Sequence, residues 1–138
     1  MILLDTSGLL AAIDAGQRCH REALACLAAA RPPLLLSPFV LAELDYLLGA
    51  RVGARARAAL LDEVERGAYL LEPISGADVA RAHAIIDRHA DLAISLADAS
   101  IVVLAERHRV REVLTLDQRH FRVLTARGKP LRLLPADA

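Results

Sequence analysis

Ile2-Leu3-Leu4-Asp5-Thr6-Ser7 opens the chain with three aliphatic residues closed by an acid and two hydroxyls. A short apolar run without polar alternation reads as a strand buried on both faces. Thr6 or Ser7 then caps a helix running to about Ile13, which the Asp14-Ala15-Gly16 cluster ends. The same order recurs downstream. Leu34-Leu35-Leu36 is followed by Ser37-Pro38, a cap with proline in the first helical position, which predicts a helix through Leu48. Tyr69-Leu70-Leu71 reads as a third strand, and Ser75 begins a helix to about His89. Val113-Leu114-Thr115-Leu116 is a fourth strand ending at Asp117, and a short fifth is expected around 131–134. Further helices are expected over 20–30, 55–66 and 96–108, with a loop at 91–95. Aliphatic strands alternating with helices imply α/β architecture with a parallel sheet covered on both faces, in one domain over 1–138.

A length of 138 residues suits one domain, and 55% hydrophobic against 25% charged residues excludes disorder. Aromatics make up only 3%, so the core must be aliphatic and base stacking is an unlikely means of recognition. Seventeen basic residues balance 17 acidic ones, which excludes a uniformly basic coat. The balance hides an asymmetry, because residues 105–132 hold eight basic residues and three acids. That segment reads either as a phosphate-contacting rim or as ordinary solvated surface. Arg119 and Arg122, beside Asp117, are the better candidates for such phosphate contact.

Cys19 and Cys26 lie two helical turns apart, too far to bridge within one straight helix, and match no zinc pattern. A reduced, cytoplasmic protein follows as the simplest reading. Asp5 comes too early for a signal peptide, and the longest apolar stretch, 34–42, is broken by Ser37 and Pro38. No membrane association is expected.

Four acids stand where function gathers in such a fold. Ligands of open parallel sheets bind beyond the carboxyl ends of the strands, where Asp5 and Asp117 sit. On a helical wheel Glu43 falls among Phe39, Val40, Tyr46 and Leu47, inside the arc expected to face the sheet. Asp98 falls beside Ile101, Val102 and Ala105 in the first turn of its helix. Each alone has a structural explanation, as a turn cap, a buried ion pair or a complement to the helix dipole. Together they suggest a shared cation. An all-oxygen set suits Mg²⁺ or Mn²⁺, which can orient a phosphodiester and activate water. No His or Cys is expected in the cluster, and His120, next to Asp117, reads either as a substrate contact or, with more weight, as a surface residue.

At these residues the chain resembles the PIN-domain family, and in spacing and order the VapC-type toxins. The resemblance rests on Ile2-Leu3-Leu4-Asp5-Thr6-Ser7, Leu41-Ala42-Glu43-Leu44, Leu96-Ala97-Asp98-Ala99-Ser100, and Leu114-Thr115-Leu116-Asp117 with Phe121. It covers Met1 to about Pro135. The resemblance implies a PIN-like three-layer α/β/α fold with a short parallel sheet of four to five strands. It also implies an Mg²⁺- or Mn²⁺-dependent endoribonuclease acting as the toxin of a toxin–antitoxin pair. The acidic pocket then maps onto Asp5, Glu43, Asp98 and Asp117, supported through hydrogen bonds by Thr6 and Thr115, with Asp91 an extra acid of unassigned role. RNA, a cognate antitoxin and a homodimer mate are the implied partners. A housekeeping PIN nuclease without an antitoxin is the alternative. A receiver-like signalling domain fits poorly, because the sole lysine, Lys129, sits in an Arg-Gly-Lys-Pro turn rather than after a late strand. Leu24, Leu27, Leu41 and Leu48 exceed what single stripes on the second and third helices can bury. A surplus groove between those helices is therefore expected to receive a partner helix.

Overall fold

β1 (Ile2–Leu4) lies at the centre of a five-stranded parallel sheet and is buried along its whole length. The structure is a computed structural model describing residues 1–138. β2 (Leu34–Leu36) pairs with β1, and β3 (Leu70–Leu71) pairs with β2 at the edge. On the other side β4 (Glu112–Leu114) pairs with β1, and β7 (Arg132–Leu134) closes the sheet. The order β3-β2-β1-β4-β7 means the chain winds outward in one direction from β1, then returns and winds the other way. The reversal falls between β1 and β4, where such sheets open a crevice. The register pairs Leu4 with both Leu36 and Leu114, so Asp5 and Thr115 leave the sheet side by side.

The helices are α1 (Thr6–Ile13), α2 (His20–Ala29), α3 (Pro38–Arg51), α4 (Ala54–Glu65), α5 (Gly76–Arg88), α6 (Leu96–His108) and the single turn α7 (Gln118–Phe121). α1 packs on α2 and α3, α3 on α4 and α6, and α5 on α6. One core of 33 buried residues joins these layers, aliphatic apart from Tyr69 and Phe121. The three-layer α/β/α arrangement is as expected. Two elements escaped the sequence reading: α7, and a hairpin of β5 (Thr125–Ala126) and β6 (Lys129–Pro130) that lies outside the main sheet. Both are too short for periodicity to mark them. The expected groove between the second and third helices is absorbed by other packing, since α2 leans on α1 and α3 on α4. Leu48 is fully buried, Leu27 and Leu41 are half-buried against the core, and only Leu24 stays exposed. No helix is long and apolar enough to cross a membrane.

Three local devices hold the elements around the crevice. Ser37 caps α3 by accepting a bond from the Phe39 amide, and its hydroxyl lies 2.7 Å from that of Ser100 on α6. Both serines are buried, which ties the starts of α3 and α6 together behind the site. Ser95 and Asp98 form a reciprocal capping box that sets the start of α6. Gly8 lets α1 rest on β4: a Cβ there would stand 2.2 Å from the Leu114 carbonyl oxygen.

Candidate metal centre

Asp5 is the deepest residue of the crevice, 4% exposed. Its Oδ2 accepts bonds of 2.7 Å from both the Ser7 and the Thr115 hydroxyls. Burial pushes its carboxyl up to about 6 against those donors, and the negative charge of Asp98 adds to the rise. Ser7 does not cap α1 as expected: it lies inside the first turn, and Asp5 stands at the N-cap without a side-chain capping bond. Ser7 also accepts a bond from the Leu116 amide, while Thr115 accepts one from the Asp117 amide, so the two hydroxyls lace β1 to the loop after β4. Of the two threonines, Thr115 bonds to Asp5 and Thr6 makes no side-chain bond there. The Thr6 Oγ1 is buried without a hydrogen-bond partner, and its expected role in bonding falls to Ser7.

Asp98 and Asp117 meet over His120. The His120 Nδ1 lies 3.2 Å from Asp98 Oδ2 and 3.1 Å from Asp117 Oδ2. One ligand atom from each of these residues falls within 4.8 Å of the others. The expectation that no histidine joins the acids is therefore corrected. Asp117 caps α7 by accepting from the His120 amide, and that single turn swings the imidazole back over its own cap. The signal was legible as an acid three residues before a histidine, but it needed the unforeseen helical turn. Asp98 Oδ2 also accepts from the Ser95 amide, while Oδ1 has no hydrogen-bond partner.

Glu43 requires a second correction. It is not inside an arc packed on the sheet. α3 buries Val40, Leu44 and Leu48, and the neighbouring stripe of Glu43, Leu47 and Arg51 faces the crevice. Glu43 is exposed on the wall of the pocket and forms no ion pair, so a buried pair with arginine does not explain it. The pocket encloses about 900 Å³ and brings all four expected acids, Asp5, Glu43, Asp98 and Asp117, into one lining. Asp91 lies outside that lining, exposed on a 3₁₀ turn.

Basic residues line the same pocket: Arg18 before α2, Arg51 at the end of α3, and Arg119 on α7. None pairs with a carboxylate, unlike Arg122, which grips Asp137 through bonds of 2.7 and 2.8 Å and also binds Gln118. The pull of Arg122 lowers the Asp137 carboxyl to about 2, marking a structural tie of the C-terminal turn. Arg18 and Arg51 were not singled out in the sequence, because only tertiary folding brings them beside the acids.

The donor set fits a divalent cation. Asp5 has only neutral donors against its charge, Asp98 keeps an unpartnered oxygen, and the orphaned Thr6 hydroxyl belongs to the pocket lining. Among the basic side chains only the His120 imidazole comes within ion-pair distance of these acids, while Arg18, Arg51 and Arg119 stay farther off on the pocket lining. Carboxylates gathered without a fixed cation repel one another unless a bound ion neutralises them.

The PIN domain family profile matches residues 2–125. The chain is 42% identical over 127 residues to Ribonuclease VapC26 of Mycobacterium tuberculosis, covering 92% of this chain and 94% of that protein. Its fold is similar to that in the crystal structure of Mycobacterium tuberculosis VapC20, a sarcin-ricin loop cleaving toxin. That likeness has a TM-score of 0.79 and 26% identity over 85% of this chain and 90% of the other. FitAcB from Neisseria gonorrhoeae shares the fold at TM-score 0.58 and 22% identity, over 86% of this chain and 88% of that one.

Proposed function

The chain belongs to the PIN-domain family, and from that premise we propose that it is a metal-dependent endoribonuclease, the toxin of a toxin–antitoxin pair. One observation carries the reading. Asp5, Glu43, Asp98 and Asp117 come from four separate segments and line one pocket at the sheet's switch point. A carboxylate set of this kind selects a hard divalent ion, and we assign Mg²⁺ or Mn²⁺, the second because it tolerates the nearby imidazole.

Asp5, Asp98 and Asp117 would hold the ion, with Ser7 and Thr115 fixing the direction of Asp5. When bound, the ion supplies Lewis acidity toward a phosphodiester and makes its water a nucleophile at neutral pH. We assign Glu43, exposed and unpaired on the pocket lining, either to the same ligand set or to the role of general base toward water. Arg119, together with Arg18 and Arg51, provides charge for the flanking phosphates. Arg122 contributes through its tie to Asp137 rather than through RNA.

An antitoxin, a homodimeric toxin and a cytoplasmic location complete the proposal, with the family and the named ribonuclease as their support. Induced expression followed by sequencing of RNA fragment ends tests it. The expected result is growth arrest with discrete new RNA ends, reversed by co-expression of the adjacent small gene. Discrete cleavage without arrest or rescue would replace the toxin reading with that of a housekeeping nuclease.

A further inference from the structure

Most of the basic segment does not face the acidic pocket. Of its eight basic residues only Arg119 lines that pocket. Four others, Arg109, Arg111, Arg127 and Lys129, surround a second pocket of about 330 Å³ that shares no residue with the first. Its floor includes the buried Ala105 and Ala126, and no acid lines it. We propose that this pocket is a second RNA-binding site, an anchor for backbone phosphates remote from the point of cleavage.

Three observations support that assignment. First, none of the four cations lies within ion-pair distance of a carboxylate, whereas Arg57, Arg66, Arg81, Arg107, Arg122 and Arg132 all do. The flanking acids are engaged elsewhere, Glu106 with Arg81 and Glu112 with Arg132. Four uncompensated cations around one concavity repel each other until an anion enters, and guanidinium forks suit phosphate oxygens.

Second, the backbone presents them. Arg109 and Arg127 sit in left-handed corners at φ 56° and 52°, one ending α6 and the other turning the β5–β6 hairpin. The helix dipole accounts for a cation at Arg109 but not for Arg127 or Lys129 on the hairpin. Arg111 Nη1 donates to the Pro130 carbonyl at 3.4 Å, joining the two sides of the pocket.

Third, the site answers an electrostatic problem at the acidic pocket. Four carboxylates repel a polyanion against the pull of only three arginines in that pocket, so cations outside it add affinity. Arg109 stands eleven positions beyond Asp98 along α6 and its cap, roughly 16 Å at helical rise, so a stacked strand reaching both needs about five nucleotides. The small apolar floor of Ala105, Val110 and Ala126 offers no pocket for the apolar side chains by which a peptide would add to its charge, which favours nucleic acid as the occupant.

The proposal rests on the ribonuclease reading but can fail separately from it. Binding is measured by fluorescence anisotropy with Asp98→Asn protein, so that cleavage does not intervene. A labelled hairpin RNA and a tetranucleotide serve as ligands. Arg127→Asn/Lys129→Gln removes two charges, and asparagine tolerates the left-handed backbone at 127. The double variant should bind the hairpin about tenfold more weakly, with a salt slope lower by about 2. Its melting temperature should not move, and its affinity for the tetranucleotide, which occupies one site at a time, should fall less than that for the hairpin. In the active background KM for the hairpin should rise while kcat holds. Hairpin affinity and salt slope equal to those of the parent protein would overturn the second site. If the hairpin effect appears while wild type with Mg²⁺ or Mn²⁺ cleaves no RNA, the phosphate site stands and the nuclease reading fails.

Discussion

Burial raises the Asp5 carboxyl to about 6, because β1 and β4 strip its water and only Ser7, Thr115 and the Thr6 amide replace it. Unfolded, the same group titrates near its ordinary 3.8. Between those values the folded state binds a proton that the unfolded state has released. Stability from this group is therefore greatest at acid pH and falls as pH rises through about 6, by roughly 3 kcal/mol in total. The metal-free protein should gain melting temperature as pH drops from 7 to 5, and Asp5→Asn should remove that gain while stabilising the apoprotein at pH 7. A wild-type melting temperature that only falls over this range would contradict the burial of an uncompensated charge. Divalent ions should bind more weakly below pH 6, since the proton competes for the same oxygen. At this scale the sequence was informative about the acids and less so about their supports. Asp5 and Asp117 followed from strand ends, whereas the choice of Ser7 over Thr6 depends on which way a helix turns its first hydroxyl. That orientation is set by packing between α1 and the β4 loop, which no local pattern encodes.

Helix α6 presents Asp98 through its capping box, and the pattern Ser95-x-x-Asp98 is visible in the sequence. Helix α3 was harder to orient. Apolar residues surround most of its circumference, so a wheel centred on Phe39, Val40 and Tyr46 is as plausible as the true centre on Val40, Leu44 and Leu48. Tyr46 is in fact 72% exposed, and the rotation that exposes it brings Glu43 to the crevice. Helix α1 depends on a residue that attracted no attention in the sequence. Gly8 permits its contact with β4, and Gly8→Ala should cost about 1–3 kcal/mol or more because a backbone carbonyl must yield. The shift should also part Asp5 from Thr115, so the variant should lose stabilisation by Mn²⁺ as well as stability alone. Urea denaturation with and without Mn²⁺ measures both. A variant within ~0.5 kcal/mol of wild type would show that the contact is not needed.

Across the whole molecule, the winding reversal between β1 and β4 collects acids from four segments, and aliphatic strands alternating with helices foretold that reversal's setting if not its position. The strand order itself was not legible, since three-residue strands carry no record of their neighbours. Charge was legible only as a segment total. Folding divides the basic residues between Arg119 at the acidic pocket, the Arg122–Asp137 tie and the separate pocket on the hairpin. The most direct test of the acidic pocket as a metal-dependent nuclease centre is RNA cleavage by the purified chain after EDTA treatment, followed by return of Mn²⁺. Asp98→Asn serves as the companion, because its amide oxygen can still accept from Ser95 and preserve the cap. Cleavage should vanish in EDTA, return with Mn²⁺ in wild type, and stay absent in Asp98→Asn at an unchanged or higher melting temperature. Full cleavage in EDTA, or an Asp98→Asn protein as active as wild type, would contradict the metal centre outright.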